Sequence, residues 1–168
     1  GKGDNETIGS ETLSKAIRDA RLDDKIKAVV LRVNSPGGSA LASETILREM
    51  QLIKKEKPVV VSMGDVAASG GYYIACAADT IIANPTTITG SIGVFGVLMN
   101  AQKMMKNKLG INVDTVKTNK HADIGTPFRA LTSSERNIIQ NSVEKIYDTF
   151  ITHVAKGRNM TKEEVDAI

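Results

Sequence analysis

Residues 63–78 have the sequence Met-Gly-Asp-Val-Ala-Ala-Ser-Gly-Gly-Tyr-Tyr-Ile-Ala-Cys-Ala-Ala, with three glycines around Ser69. The apolar, β-branched run from Val59 to Met63 leads into it and predicts a buried strand, whereas the residues after Ser69 predict a helix. Ser69 therefore lies where a strand turns sharply into a helix, a position that exposes a serine hydroxyl beside free backbone N–H groups. Two interpretations stay open: Ser69 is a nucleophile, or it only caps the helix, as serine often does.

The composition is that of an ordinary globular domain and argues against a nucleic acid as partner. The 168 residues suffice for one domain with a substantial core. The 22 basic and 19 acidic residues are interleaved and give a net charge of only +3, and the chain has no Trp for stacking on bases. The single Cys76 excludes an internal disulfide and is expected to be a buried small hydrophobe.

Helical and strand patterns alternate along the chain. Strands are predicted at 27–34, 59–63, 79–83 and 111–117, an extended run at 89–97, and helices at 10–22, about 40–55, 70–78, 100–109 and from 133 onward. The first strand is apolar on both faces, which is typical of a central parallel strand. Strands separated by helices predict an α/β fold, a largely parallel sheet with right-handed βαβ crossovers flanked by helices. We expect residues 1–168 to form a single domain and, since neither end has the character of a natural terminus, to be a piece of a longer chain.

A second glycine-rich turn follows the first predicted strand, where Ser35-Pro36 precedes Gly37-Gly38. In a parallel sheet the loops after consecutive strands lie at the same edge, so this turn and the Ser69-Gly70 turn should be neighbours. One N–H from Gly37 or Gly38 and one from Gly70 would then form a two-donor oxyanion hole beside the Ser69 hydroxyl. Taken alone, the Gly37-Gly38 sequence favours a tight turn that needs glycine for its backbone angles, and only its pairing with Ser69 favours a function.

The sequence offers no obvious base for Ser69. Of the two histidines, His153 falls on the long helix at the edge of its apolar stripe, and His121 lies in a polar, irregular segment without an obvious carboxylate to orient it. Lys117 and Lys120 stand in polar surroundings that would keep them charged, whereas a lysine base needs a desolvated amine.

The three glycine-containing motifs together resemble the signal peptide peptidase A family, also called protease IV. They are 34–38 (Asn-Ser-Pro-Gly-Gly), 63–73 (Met-Gly-Asp-Val-Ala-Ala-Ser-Gly-Gly-Tyr-Tyr) and 84–94 (Asn-Pro-Thr-Thr-Ile-Thr-Gly-Ser-Ile-Gly-Val), in the family's order. The resemblance implies the Clp-protease/crotonase fold and a serine protease with a Ser/Lys dyad that needs no cofactor and no metal. It also implies a homo-oligomer at the bacterial cytoplasmic membrane, with its catalytic domain on the extracytoplasmic side, that degrades residual signal peptides.

Carried over by residue, the resemblance makes Ser69 the nucleophile and places the oxyanion hole at the Gly37-Gly38 turn and Gly70. Ser91 corresponds to a serine that hydrogen-bonds the base lysine. Ala122 stands where short members of the family have that lysine. Long members are tandem duplications in which the amino-terminal half supplies the lysine, and this chain resembles the carboxyl-terminal half. We therefore expect the isolated chain to be nearly inactive.

Two other functions stay open. A crotonase-like acyl-CoA enzyme would share the fold and the two-donor pocket but would not need a serine at position 69. A catalytically silent domain that serves only assembly would keep the fold without using the hydroxyl.

Overall fold

The computed structural model describes residues 1–4 and 7–168, and the described part alternates helices with short parallel strands. Its elements are α1 (Ser10–Leu22), β1 (Val29–Ser35), α2 (Ala40–Ile53), β2 (Val59–Ala68), α3 (Gly70–Ala75), β3 (Thr80–Ile82), β4 (Ile88–Gly90), α4 (Gln102–Leu109), α5 (Ser133–Arg158) and α6 (Lys162–Asp166). No helix in this part of the chain has both the length and the apolar character to cross a membrane.

β2 is the central strand of a four-stranded parallel sheet. β1, β3 and β4 all pair with it in parallel, which confirms the predicted α/β class. The prediction that β1 is central is wrong: within the described residues it pairs only with β2, and Val30 is 68% exposed. The apolar residues on both faces of β1 thus did not mean that other elements cover both of its faces.

Contacts divide the chain into two compact units, which are described separately: unit 1 comprises 1–93 with 147–168, and unit 2 comprises 94–146. Unit 1 has two apolar clusters. The first packs α1, α2 and α3 against the sheet, and the second joins α2 and α3 to the end of α5 and to α6. Fully buried members include Ile53, Val59 and Val61 in the first cluster and Leu47, Cys76 and Val154 in the second.

Unit 2 contains α4 and an irregular segment before α5. Gly110 ends α4 at a left-handed φ of 67°, as glycine often does. The strand predicted at 111–117 is wrong, because no strand of the described chain pairs with this segment. Its apolar side chains are exposed, with Val116 fully so. Alternating apolar residues are not enough to form a strand, because the backbone also needs a neighbouring strand with which to form hydrogen bonds.

Capping boxes mark the starts of α5 and α6, where Thr132 and Thr161 each stand three residues before a glutamate in the sequence. At the start of α5 the Glu135 N–H donates to Thr132 Oγ1 at 3.2 Å and the Thr132 N–H donates to the Glu135 carboxylate at 2.9 Å. Thr161 and Glu164 make the same reciprocal pair at the start of α6. These local signals were sufficient because each box satisfies donors within four residues of itself.

Candidate active site

β2 is longer than predicted and delivers Ser69 to the end of the sheet. Its pairing with β1 runs in register up to Met63 and then shifts, so that three residues of β2, 64–66, face the single residue Asn34. The Asn34 side chain accepts a hydrogen bond from the Val66 N–H at 3.1 Å, which satisfies the bulged backbone. The strand can therefore continue through Gly64 to Ala68, beyond the predicted end at Met63.

Ser69 has a strained backbone and a side chain that does not cap α3. Its φ of 50° and ψ of −119° are unusual for a residue with a Cβ, and its hydroxyl makes no capping hydrogen bond. The Ser69 N–H donates to the Gly90 carbonyl at 2.9 Å, and its carbonyl accepts from the Tyr73 N–H at 2.8 Å. Such strain costs about 1–3 kcal/mol and persists only where the surroundings hold it, most often at functional sites. The geometry thus argues against a capping role.

The two glycine turns lie against each other. A Cβ placed on Gly37 would lie 2.6 Å from the Gly70 nitrogen and 2.9 Å from Ser69 Cβ. A Cβ on Gly70 would lie 3.2 Å from the Gly38 nitrogen. Gly37 also has a φ of 104°, in the region that favours glycine. The expected neighbourhood of the two turns is therefore present, and it leaves no room for a side chain at the junction.

The structure distinguishes the two N–H groups of the first turn. The Gly37 N–H donates to Ser35 Oγ at 3.2 Å. In the part of the chain that the structure describes, the Gly38 and Gly70 N–H groups have no acceptor. Ser69 is partly exposed beside them. Two free donors next to an accessible hydroxyl can stabilise the oxyanion that forms when a carbonyl is attacked.

Ser91 lies next to this group of residues. It follows Gly90, which pairs with Ala68 and accepts the Ser69 N–H. Ser91 is exposed and has a left-handed φ of 48°. The structure thus brings Ser91 to the same end of β2 as Ser69 and holds it in a second strained conformation.

Three of the four side chains that the sequence offered as bases, His121, His153 and Lys117, have other partners. In unit 1, His153 lies at the edge of the core, as predicted, with Nε2 3.2 Å from the Glu44 carboxylate and its side chain 17% exposed. In unit 2, Lys117 pairs with Asp123 at 2.9 Å, which agrees with the polar surroundings expected for it. The expectation that no carboxylate orients His121 is wrong, because its Nδ1 lies 3.5 Å from Glu135.

The missed carboxylate had a signal in the sequence. Glu135 is the acid of the capping box at the start of α5, and its side chain is 1% exposed. Arg129 donates to it at 2.6 and 2.7 Å and holds its pKa well below the usual range, and the backbone N–H of Thr132 adds to this effect. A glutamate that accepts a backbone hydrogen bond at a helix start is fixed in place, so it can also interact with a neighbouring side chain.

Two other supporting residues, Asn34 and Ser43, were not singled out from the sequence. Asn34 stabilises the bulge before Ser69, as described above. Ser43 Oγ on α2 lies 2.7 Å from the position that a Gly70 Cβ would occupy. A pocket beside the two turns is lined by Ser35, Gly37, Gly38, Ser39, Ala42, Ser43, Ile46, Gly70 and Ile74, together with Ile8.

Comparison with known proteins identifies the family of this chain. Residues 51–168 match the model of peptidase family S49. Protease 4 from Salmonella typhi is 48% identical over 162 residues, 96% of this chain and 26% of that protein. Protease 4 from Haemophilus influenzae is 45% identical over 169 residues, 100% of this chain and 27% of that protein. The chain thus spans about a quarter of the length of these relatives.

Among solved structures, a ClpP1 variant from Listeria monocytogenes superposes with a TM-score of 0.54 at 15% identity, covering 94% of this chain and 70% of that chain. This likeness shows the fold alone and confirms the predicted Clp-protease type. The family resemblance seen in the three motifs is confirmed independently by the match over residues 51–168. On that match, and on identity that extends over nearly the whole chain, the protein belongs to peptidase family S49.

Proposed function

We propose that this chain carries the nucleophile and the oxyanion hole of a serine endopeptidase. The observation that carries the proposal is the strained Ser69, whose hydroxyl caps nothing and lies beside two glycine turns in contact. Membership in peptidase family S49 supports it.

The proposed reaction begins when Ser69 Oγ attacks the carbonyl carbon of a peptide bond and gives its proton to a base. The carbonyl oxygen then carries the negative charge and accepts hydrogen bonds from the Gly38 and Gly70 N–H groups. Collapse of this intermediate breaks the C–N bond, and the protonated base returns the proton to the leaving amine. Water hydrolyses the acyl-serine in the same way and regenerates the hydroxyl.

The base is proposed to be a lysine from the amino-terminal half of a longer chain, with Ser91 orienting it. Residues 1–168 would then be one peptidase domain of that chain. Among the described residues of unit 1, the Ser69 hydroxyl has no hydrogen-bond partner. Ala122 occupies the position at which the family resemblance places a lysine in short members. The relatives are about four times as long as this chain, which leaves ample length for such a half.

The proposed substrates are residual signal peptides and other short peptides at the bacterial cytoplasmic membrane, with the site on its extracytoplasmic side. The pocket beside Gly70 supports an apolar substrate side chain, because Ala42, Ile46 and Ile74 line it. Assembly with the amino-terminal half and into a homo-oligomer is supported by apolar side chains of unit 2 such as Phe95 and Val97, which are 87% and 79% exposed. Large exposed apolar areas commonly mark protein interfaces.

The test is covalent labelling of Ser69 by a fluorophosphonate, together with hydrolysis of a peptide ester. We expect the full-length protein to be labelled and active, Ser69→Ala to abolish both, and Ser142→Ala, on the exposed face of α5, to change neither. The isolated 168-residue chain should react about 10²–10⁴-fold more slowly, which is the usual contribution of a general base.

Other outcomes would identify the alternatives. Rapid Ser69-dependent turnover by the isolated chain would place the base within it, at Lys117, Lys120 or His121. Full activity of the Ser69→Ala protein would show a silent assembly domain. Saturable thioester binding without labelling of Ser69 would indicate an acyl-CoA enzyme.

A further inference from the structure

The two free donors of the candidate oxyanion hole belong to two different elements. Gly38 is in the loop that leads into α2, whose first turn is capped by Ser39. Gly70 is the first residue of α3. Since an oxyanion hole works only when both donors point to one oxygen, its geometry depends on how α2 and α3 are held against each other.

A buried tyrosine links these two helices. The Tyr73 hydroxyl, on α3, donates a hydrogen bond to the Glu44 carboxylate on α2. The Tyr73 ring is 5% exposed and packs on Phe150, with ring centroids 4.7 Å apart. Burial and the bond to Glu44 both raise the pKa of Tyr73, so its hydroxyl remains a donor. The link therefore combines a fixed ring with a charge-assisted hydrogen bond.

Glu44 is oriented by a second partner. His153 Nε2 lies 3.2 Å from Glu44 Oε2, and His153 Nδ1 lies 3.4 Å from the Gln51 amide nitrogen. The carboxylate oxygen that accepts the Tyr73 hydroxyl therefore also has the His153 ring beside it.

Both ends of the link are close to the candidate site. The Tyr73 N–H donates to the Ser69 carbonyl, so the tyrosine belongs to the turn that holds Ser69 in its strained conformation. Glu44 directly follows Ser43, whose hydroxyl lies against Gly70. A shift of α3 against α2 would change the spacing of the two donors and release part of the strain at Ser69.

We infer that Tyr73 and Glu44 are positioning residues for Ser69, and that their hydrogen bond keeps the Gly70 and Gly38 N–H groups directed at the same oxygen. They touch no substrate and take no part in proton transfer. This inference rests on the proposed function, because it assumes that Ser69 and the two donors act on a carbonyl.

The experiment compares two tyrosine variants in the full-length protein. Tyr73→Phe removes the hydroxyl bound to Glu44, and Tyr147→Phe removes a hydroxyl that donates in the same way to Asp166 in another part of unit 1. For Tyr73→Phe we expect kcat for a peptide ester to fall about tenfold with KM nearly unchanged, since small misplacements of reacting groups act mainly on the chemical step. Tyr147→Phe should leave kcat unchanged.

A second pair of variants tests the acceptor. The Glu44 side chain is 48% exposed, so substitutions there should still fold. Glu44→Ala should lower kcat as Tyr73→Phe does, Glu44→Gln should restore most of it through its amide oxygen, and the double variant Tyr73→Phe with Glu44→Ala should lose no more than either single one. A Tyr73→Phe protein whose kcat equals that of Tyr147→Phe would overturn the inference, and so would additive losses in the double variant. A wild-type full-length protein that is not labelled at Ser69 would instead refute the proposed function.

Discussion

Units 1 and 2 are stabilised by opposite kinds of interaction. Unit 1 packs apolar side chains from five helices and the sheet into two clusters, and Ser69 lies at the end of the strand that runs through the first of them. In unit 2, all of which the structure describes, Glu135 is the only buried residue. Its carboxylate and that of Asp123 both bind Arg129, and Asp123 also binds Lys117.

The comparison explains where a strained site can form. Strain of a few kcal/mol at Ser69 needs surroundings that do not yield, and close-packed apolar clusters provide them. In unit 2, ion pairs that share one arginine hold the irregular segment. The strength of these pairs depends on pH and on the presence of each charged partner. The four predictions below test the packing around the site and in unit 1 and the ion-pair network of unit 2.

The largest effect is expected at the contact of the two glycine turns. Gly37→Ala places a methyl group 2.6 Å from the Gly70 nitrogen and at a φ of 104°. We expect fluorophosphonate labelling of Ser69 in the full-length protein to fall about 100-fold or more, because loss of one oxyanion donor already costs that much. Gly93→Ala, whose Cβ would meet nothing within 4 Å, is the control. Equal labelling of the two variants would show that the contact does not shape the site.

Leucine truncations measure the two units directly. Leu47→Ala, at a fully buried position of α2, should lower the free energy of unfolding by about 2–5 kcal/mol through loss of packing and a cavity. Leu109→Ala, at a position 58% exposed at the end of α4, should change it by less than about 0.5 kcal/mol. Urea denaturation of the 168-residue chain gives both values. Similar losses at the two positions would mean that unit 2 has apolar packing comparable to that of unit 1.

Local patterns in the sequence predicted much of unit 1. The turn from strand to helix at Ser69 and the capping box of α6 depend on residues within a few positions of each other, and the neighbourhood of the two glycine turns followed from the rule for parallel strands. The central position of β2 and the absence of a strand at 111–117 depend on which segments pair, which no local pattern contains.

The candidate site, like the fold, could be predicted from the sequence only in part. Its glycines and Ser69 could be named, but the assignment of the free donor to Gly38 required the Ser35 hydroxyl, which accepts the Gly37 N–H. The roles of Asn34 and Tyr73 likewise depend on contacts with residues about 30 positions away in sequence. Contacts over that distance are set by the fold and not by a motif.

The ion-pair network of unit 2 should make amide protection in this unit depend on pH in the acid range. Arg129 holds the pKa of Asp123 and of Glu135 well below the usual range, and Lys117 adds to the effect on Asp123. Because folding lowers these pKa values, the stabilisation is complete above the unfolded pKa near 4 and is lost as the pH falls through the folded values. Amide protection at Thr132 and Glu135 should therefore persist at pH 4 in the wild-type chain, as hydrogen exchange would show.

Removing the arginine should shift this loss of protection to higher pH. Arg129→Gln deletes the main partner of both carboxylates, so protection at Thr132 and Glu135 should already fall near pH 5. Lys15→Gln is the matched control, because its pair with Asp19 in α1 is exposed on both sides and such pairs contribute little. Identical acid profiles for the two variants would contradict a role for the network.

The smallest effect is expected at Cys76, in the second apolar cluster of unit 1. Burial raises the pKa of its thiol to about 12, so that at pH 8 only about one molecule in 10⁴ carries the reactive thiolate. Alkylation of the native chain by iodoacetamide should therefore be very slow and should accelerate on unfolding in urea. Cys76→Ala in the full-length protein should leave labelling of Ser69 unchanged and cost about 1 kcal/mol of stability. Rapid alkylation under native conditions would instead show that this cluster opens readily. A loss of Ser69 labelling in Cys76→Ala would show that the packing behind α3 controls the strained turn more directly than the Tyr73–Glu44 bond does.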